Sequence, residues 1–132
     1  MIVVDTSVWI DFLNGRRAPH VQRLRRVLGM DEIIVGDLMV CEVLQGLASE
    51  EAAEQVEALL RRFEIVSMAG EAIAVAAARN FRRLRGMGIT VRKTIDLLIG
   101  TWCIEHRAPL LHNDSDFRPL GRYLGLIEVI AA

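Results

Sequence analysis

The chain has 132 residues, 52% of them hydrophobic, which is the length of one ordinary domain and too short for two with separate cores. A chain of this size buries roughly two-thirds of the surface its unfolded form exposes, so residues 1–132 are expected to form a single domain without metal or disulfide staples. The 16 basic and 17 acidic residues leave a formal charge of −1, and that total argues against an obvious polyanion binder.

Ile2 to Val4 is a β-branched run too short for a helix, and it ends at Asp5 with Thr6 or Ser7 expected to cap the helix that follows. Ala18 to Leu28 sets Val21, Leu24, Val27 and Leu28 at helical spacing, with arginines on the other faces. Ile33 to Val35 predicts a second strand, and Gly36 and Asp37 a turn and cap before a helix through Val43, Leu44 and Leu47. Helices are expected over Glu50 to Phe63, from about Gly70 to Gly86 or Gly88, and over Ile95 to His106, the last nearly all apolar and therefore buried. Between and after them lie strands at Glu64 to Val66, Pro109 to Leu111 and Leu126 to Ile130, with a loop or short helix around Pro119 and Gly121. Short apolar strands alternating with helices predict an α/β fold whose parallel sheet is covered on both faces.

Cys41 and Cys103 have no Cys-x-x-Cys spacing and no nearby His, so they predict two buried, reduced thiols rather than a zinc site or a disulfide. The opening MIVVDTSVWI lacks a basic leader, and no apolar run approaches the roughly 20 residues of a membrane span. The cytosol is the expected compartment, with no membrane partner.

Charge is segregated along the chain. Arg16, Arg17, Arg23, Arg25 and Arg26 form one acid-free stretch, and Arg79, Arg82, Arg83, Arg85, Arg92 and Lys93 another. The guanidinium fork suits phosphate, so Arg79, Arg82, Arg83 and Arg85 are candidate RNA contacts. A solvated helix face is the alternative.

Ligand chemistry in parallel α/β sheets gathers at the carboxyl ends of the strands. Asp5 closes the first strand there, and Asp114 follows the strand PLL, in the run LLHND. Glu42 in LMVCEVLQGL and Asp96 in TIDLLIGTWCI are acids among apolar neighbours, and burying an unpaired carboxylate in such surroundings is costly. Each could be paired with an arginine, but a shared pocket explains all four together. Carboxylates at close range need a cation, and oxygen-only ligands suit Mg²⁺ or Mn²⁺ better than zinc. Such a site can acidify a water and neutralise charge on a phosphodiester. Neither a P-loop, a dinucleotide fingerprint nor a GxSxG elbow is present. With His112 alone near the acids, a metal-free two-histidine cleavage has little support, and a structurally hydrogen-bonded or surface imidazole is the better reading.

The opening IVVDTSVWIDFL, Glu42 in VCEVLQGL, TIDLLIGTWCIEH around Asp96 and PLLHNDSDFRPL near the end together resemble the PIN domain, specifically the toxin ribonucleases of bacterial VapBC-type toxin–antitoxin pairs. The resemblance covers essentially the whole chain. It implies a three-layer α/β/α sandwich with a short central parallel sheet, and an endoribonuclease dependent on Mg²⁺ or Mn²⁺. Asp5, Glu42, Asp96 and Asp114 match the family's acidic quartet, with Asp5, Asp96 and Asp114 as metal ligands. Asp116 is auxiliary. Thr6 either hydrogen-bonds the acidic pocket or caps a helix, and Asn113 either positions phosphate or caps a loop. The resemblance also implies an RNA substrate, whether tRNA, rRNA or mRNA, a cognate VapB-type antitoxin and a homodimer. Trp9, Phe12 and Trp102 serve the core or that interface. The alternatives are a PIN nuclease of RNA maturation or decay without an antitoxin, and a non-catalytic RNA- or protein-binding module with an acidic docking pocket. A response-regulator-type phosphotransfer domain would need adjacent acids after the first strand and a late lysine, and neither is present.

Overall fold

A computed structural model describes residues 1–129. β1 (Ile2–Val4), β2 (Ile33–Gly36), β3 (Glu64–Val66), β4 (Leu110–Leu111) and β5 (Glu128–Val129) form one sheet, parallel throughout, in the order β3-β2-β1-β4-β5. Val3 is aligned with Ile34 on one side and Leu110 on the other. β1, β2 and β4 are buried along their whole length, whereas Glu64 and Ile65 of β3 are exposed and β5 is half-buried. That gradient explains the uninterrupted apolar runs IVV, IIV and LL: a central parallel strand meets helices on both faces and has no solvent side to alternate toward.

The strand order reverses at β1. The chain moves outward from β1 to β2 and β3, then crosses back to add β4 and β5 on the other side. Right-handed crossovers put the helices of the two excursions on opposite faces. Accordingly α1 (Thr6–Leu13) packs on α2 (Pro19–Val27) and α3 (Asp37–Gln45), and α3 on α4 (Glu50–Leu60). In the second group, α5 (Glu71–Gly86) packs on α6 (Thr94–Glu105) and α7 (Arg118–Leu124), with a 3₁₀ turn at Ser115–Phe117 against α6 and α7. The result is the expected three-layer α/β/α sandwich with a short parallel sheet.

α6 lies deepest, with seven residues buried: Asp96, Leu97, Ile99, Gly100, Thr101, Trp102 and Cys103. Gly100 allows that depth, since a Cβ there would collide with Leu120 of α7. The buried Thr101 is satisfied, as Asn80 Nδ2 on α5 donates to its Oγ1 at 3.1 Å.

Some expectations need correction. The cap of α1 is Asp5, not Thr6 or Ser7: Asp5 keeps the extended backbone of the strand end, and its carboxylate accepts the Ser7 N–H. α4 ends at Leu60, and Arg61 to Phe63 form a turn instead of its last helical residues. Cys103 is buried but Cys41 is exposed, because α3 turns that side chain outward while burying Met39 and Val43. The segment after Asp114 agrees with the expected short helix around Pro119 and Gly121: a 3₁₀ turn leads into α7, which Gly125 stops in the left-handed conformation at φ +86°. The last strand is Glu128–Val129, and Ile130, included in the expected strand, lies outside the described residues. No helix of the described residues is long and apolar enough to cross a membrane.

Candidate active site

The reversal at β1 opens a crevice between the carboxyl ends of β1 and β4, the topological switch point where ligands bind in open α/β sheets. Asp5 stands at the end of β1, and His112 to Asp114 leave β4 beside it, since the Asp5 N–H bonds to Leu111 O. α3 supplies Glu42 and the first turn of α6 supplies Asp96. Acids from four separate elements thus share one rim.

Asp5 is buried, and its Oδ2 accepts both the Ser7 N–H (3.1 Å) and the Ser7 hydroxyl (2.6 Å). Ser7 Oγ in turn accepts the Asn113 N–H at 3.3 Å, so it ties the end of β1 to the exit of β4. Burial pushes the Asp5 carboxyl above its ordinary range, the Ser7 bonds oppose this, and nearby Glu42 adds to the rise. Because Asp5 is the cap, Thr6 begins the helix with its hydroxyl free to donate to Glu42 Oε1 at 2.8 Å. The side chain of Asn113 is exposed, and its main chain is what joins the site.

Asp96 is perturbed in the same direction as Asp5. It is 6% exposed, its Oδ2 has no hydrogen-bond partner, and its carboxyl is pushed up to about 7, first by burial and then by Asp5 and Asp114, with Lys93 opposing. Asp114 caps the 3₁₀ turn through Oδ1, which accepts the Asp116 N–H at 2.9 Å. That turn brings Asp116 inward, and one carboxylate oxygen each from Asp96, Asp114 and Asp116 lies within 4.8 Å of the others. The tightest cluster therefore contains Asp116, with Asp5 and Glu42 bordering it.

The donor set fits a divalent cation. It is all carboxylate oxygen, as hard cations require, and the orphaned Asp96 Oδ2 is the buried acceptor such an ion would satisfy. Cys103, near Asp5, is pushed up to about 12 by burial and then by the Asp5 charge, so it remains a protonated thiol and offers no soft ligand.

The arginine candidates share two turns of α5 but do not all line the same groove. α5 runs antiparallel to α6, so Arg82 and Arg85 line a groove with Thr94 and Leu97, at the Asp96 end of α6. Arg79, one turn earlier on α5, lines another with Glu105 and His106 at the far end of α6. Arg83 is exposed on α5. Arg92 does reach the acids, with Nη2 3.4 Å from Asp116 Oδ1.

Sequence reasoning missed Ser7 as a tie between strands, Glu128 as the partner of His112 (Nε2 to Oε1, 2.9 Å), and the ion pair of Arg92. Arg92 belongs to the second arginine stretch, which was its only signal. Glu128 gave none.

A family model described as the PIN domain matches residues 2–123, and the chain belongs to the PIN-domain family. It is similar to Ribonuclease VapC11 of Mycobacterium tuberculosis (strain ATCC 25618 / H37Rv), with 28% identity over 128 residues covering 96% of each chain. Its fold matches VapBC2 from Rickettsia felis bound to a DNA fragment from their promoter, at TM-score 0.78 and 19% identity over 98% of both chains. VapBC-1 from nontypeable Haemophilus influenzae matches at TM-score 0.75 and 20% identity, again over 98% of both.

Proposed function

We propose that the chain is a Mg²⁺- or Mn²⁺-dependent endoribonuclease that hydrolyses RNA phosphodiester bonds as the toxin of a type II toxin–antitoxin pair. The observation that carries this reading is Asp96, a buried carboxylate with an unpartnered oxygen whose neighbours are acids from three other elements. A purely structural acid would have a cation or donors of its own. Membership of the PIN-domain family and similarity to proteins named VapC ribonuclease and VapBC support the activity and the pairing.

In this reading Asp5, Glu42, Asp96 and Asp114 are the catalytic acids. Asp96 and Asp114 would hold the ion with Asp5, and Asp116 is close enough to join them. The ion, when bound, supplies positive charge against a phosphate and acidifies a water. Glu42, held by Thr6, keeps a carboxylate at the rim that can orient water or accept its proton. Ser7 fixes the Asp5 carboxylate, which excludes the rotamers that would turn it from the crevice. Of the four candidate arginines, Arg82 and Arg85 are best placed to hold the RNA strand. The proposed partners are RNA, a VapB-type antitoxin and a second copy of the chain.

The test is cleavage of a mixed tRNA, rRNA and mRNA pool by purified protein in Mg²⁺ or Mn²⁺, with EDTA and Asp5→Asn as controls. Discrete cuts that vanish in both controls are the expected result. Metal-independent cutting, or cutting that survives Asp5→Asn, overturns the assignment.

A further inference from the structure

β4 leaves the sheet through His112, whose side chain is 3% exposed and lies against the Phe117 ring, with centroids 5.0 Å apart. The main-chain N–H of Asp114 donates to His112 Nδ1 at 3.1 Å, so Nδ1 carries a lone pair and the ring proton sits on Nε2. Nε2–H then donates to Glu128 Oε1 at 2.9 Å. Glu128 reaches this ring from β5, and its carboxylate fills the space where Gly121 of α7 would carry a Cβ. Beyond the ring, the Asp114 carboxylate accepts the Asp116 N–H, and both acids belong to the cluster that converges with Asp96. One directed series of bonds thus runs from a slot in α7 to two of the clustered carboxylates.

We propose that His112, held in its Nε2–H form by Glu128, is a positioning residue that sets the Asp114 and Asp116 carboxylates for a divalent cation. The inference rests on the reading of the acidic cluster as a cation site. A lone pair at Nδ1 anchors the Asp114 main chain. A proton there would oppose the amide and release the turn that carries both acids. The Gly121 slot keeps Glu128 in the position that selects this tautomer. Groups of this kind, one bond removed from a ligand, typically change metal affinity 10- to 100-fold when lost.

Two side chains separate the two ring nitrogens. Asn at 112 can offer its amide oxygen near the place of Nδ1, whereas Gln can offer its amide nitrogen near the place of Nε2 and gives Asp114 no acceptor. Mn²⁺ binding to the full chain, followed by electron paramagnetic resonance of the free ion without RNA, is expected to weaken about tenfold or more in His112→Gln and to stay within about threefold of wild type in His112→Asn. Saturating Mn²⁺ restores RNA cleavage by His112→Gln. Imidazole ¹⁵N resonances of the wild type report the Nε2–H form. Should His112→Gln fail to fold, Gly121→Ala carries the same test, since its methyl displaces Glu128 and is expected to weaken Mn²⁺ binding in the same direction. Unchanged affinity in His112→Gln, or in Gly121→Ala where that variant stands in, or an Nδ1–H ring in the wild type, overturns the proposal. If Asp114→Asn binds Mn²⁺ as the wild type does, the cation-site reading itself falls, and the positioning role with it.

Discussion

Asp11 and Asp96 are both carboxylates carried toward the interior by helices, and their surroundings are opposite. Asp11 on α1 has His20 Nε2 of α2 at 2.6 Å and Arg16 Nη1 at 3.4 Å. Asp96 on α6 faces Asp5, Asp114 and Glu42, and one of its oxygens bonds to nothing. The first acid is completed by the chain and joins two helices. The second is left incomplete among like charges, an arrangement that folding alone does not favour and that a bound cation would satisfy. Whether an acid brings its own partners is thus a better guide to function here than burial.

The largest expected effect is on catalysis. Asp5→Asn or Asp96→Asn should lower RNA cleavage by more than about 100-fold, beyond the loss typical of a group one bond removed from a metal ligand. Asp11→Asn, assayed at equal folded fraction, should leave it unchanged. Comparable losses at Asp11 in the cleavage assay would erase the distinction between the two acids.

Stability should move the other way. The folded Asp96 carboxyl, near 7 against an unfolded value of 3.8, holds its proton more tightly than the unfolded chain does. Its contribution is therefore fully present below about pH 4 and lost as pH rises through 7. In EDTA, Asp96→Asn is expected to exceed wild type by about 1 to 3 kcal/mol at pH 8 and to match it near pH 4, in urea unfolding followed by circular dichroism. Added Mn²⁺ should raise the wild type and close the gap. A variant less stable than wild type at pH 8 would show that Asp96 has a partner within the chain.

At the paired acid, His20→Ala should cost about 1 to 3 kcal/mol, because it strips a buried partner from Asp11, with cleavage per folded molecule preserved. The smallest effect separates the arginines. Arg82→Gln and Arg85→Gln should each reduce the salt slope of RNA binding by about 0.7 for every phosphate the missing charge had neutralised, whereas Arg79→Gln should leave it alone. An equal effect at Arg79 would extend the RNA path along the whole of α5.

Much of this was legible in the chain because it depends on short periods. Three consecutive β-branched or apolar residues before Asp5, and an apolar run around Asp96, suffice to place a central strand and a buried helix. Their order places acids at strand ends. What stayed hidden depends on distance or on rotation about a helix axis. Asp5, Thr6 and Ser7 are all competent caps, and only the extended backbone of Asp5 decides among them. That one-residue difference frees Thr6 for Glu42, 36 positions away. Cys41 sits in a run that is apolar but for Glu42, which itself turns toward the acidic rim, so nothing local told which face α3 would show to solvent. Arg79, Arg82 and Arg85 look alike in sequence and diverge only once α5 is laid antiparallel on α6. The His112–Glu128 bond joins two residues with an entire helix between them.

The reversal of strand order at β1 also governs when the site comes into being. β1 can pair with β2 as soon as the chain is available through Gly36, but the Ser7–Asn113 bond spans 106 residues. A nascent chain that stops before β4 can hold Asp5, Glu42 and Asp96 but lacks the strand that brings Asp114 and Asp116 to them. Contacts of such separation form slowly, so the acidic cluster is among the last parts of the molecule to be assembled, both on the ribosome and on refolding.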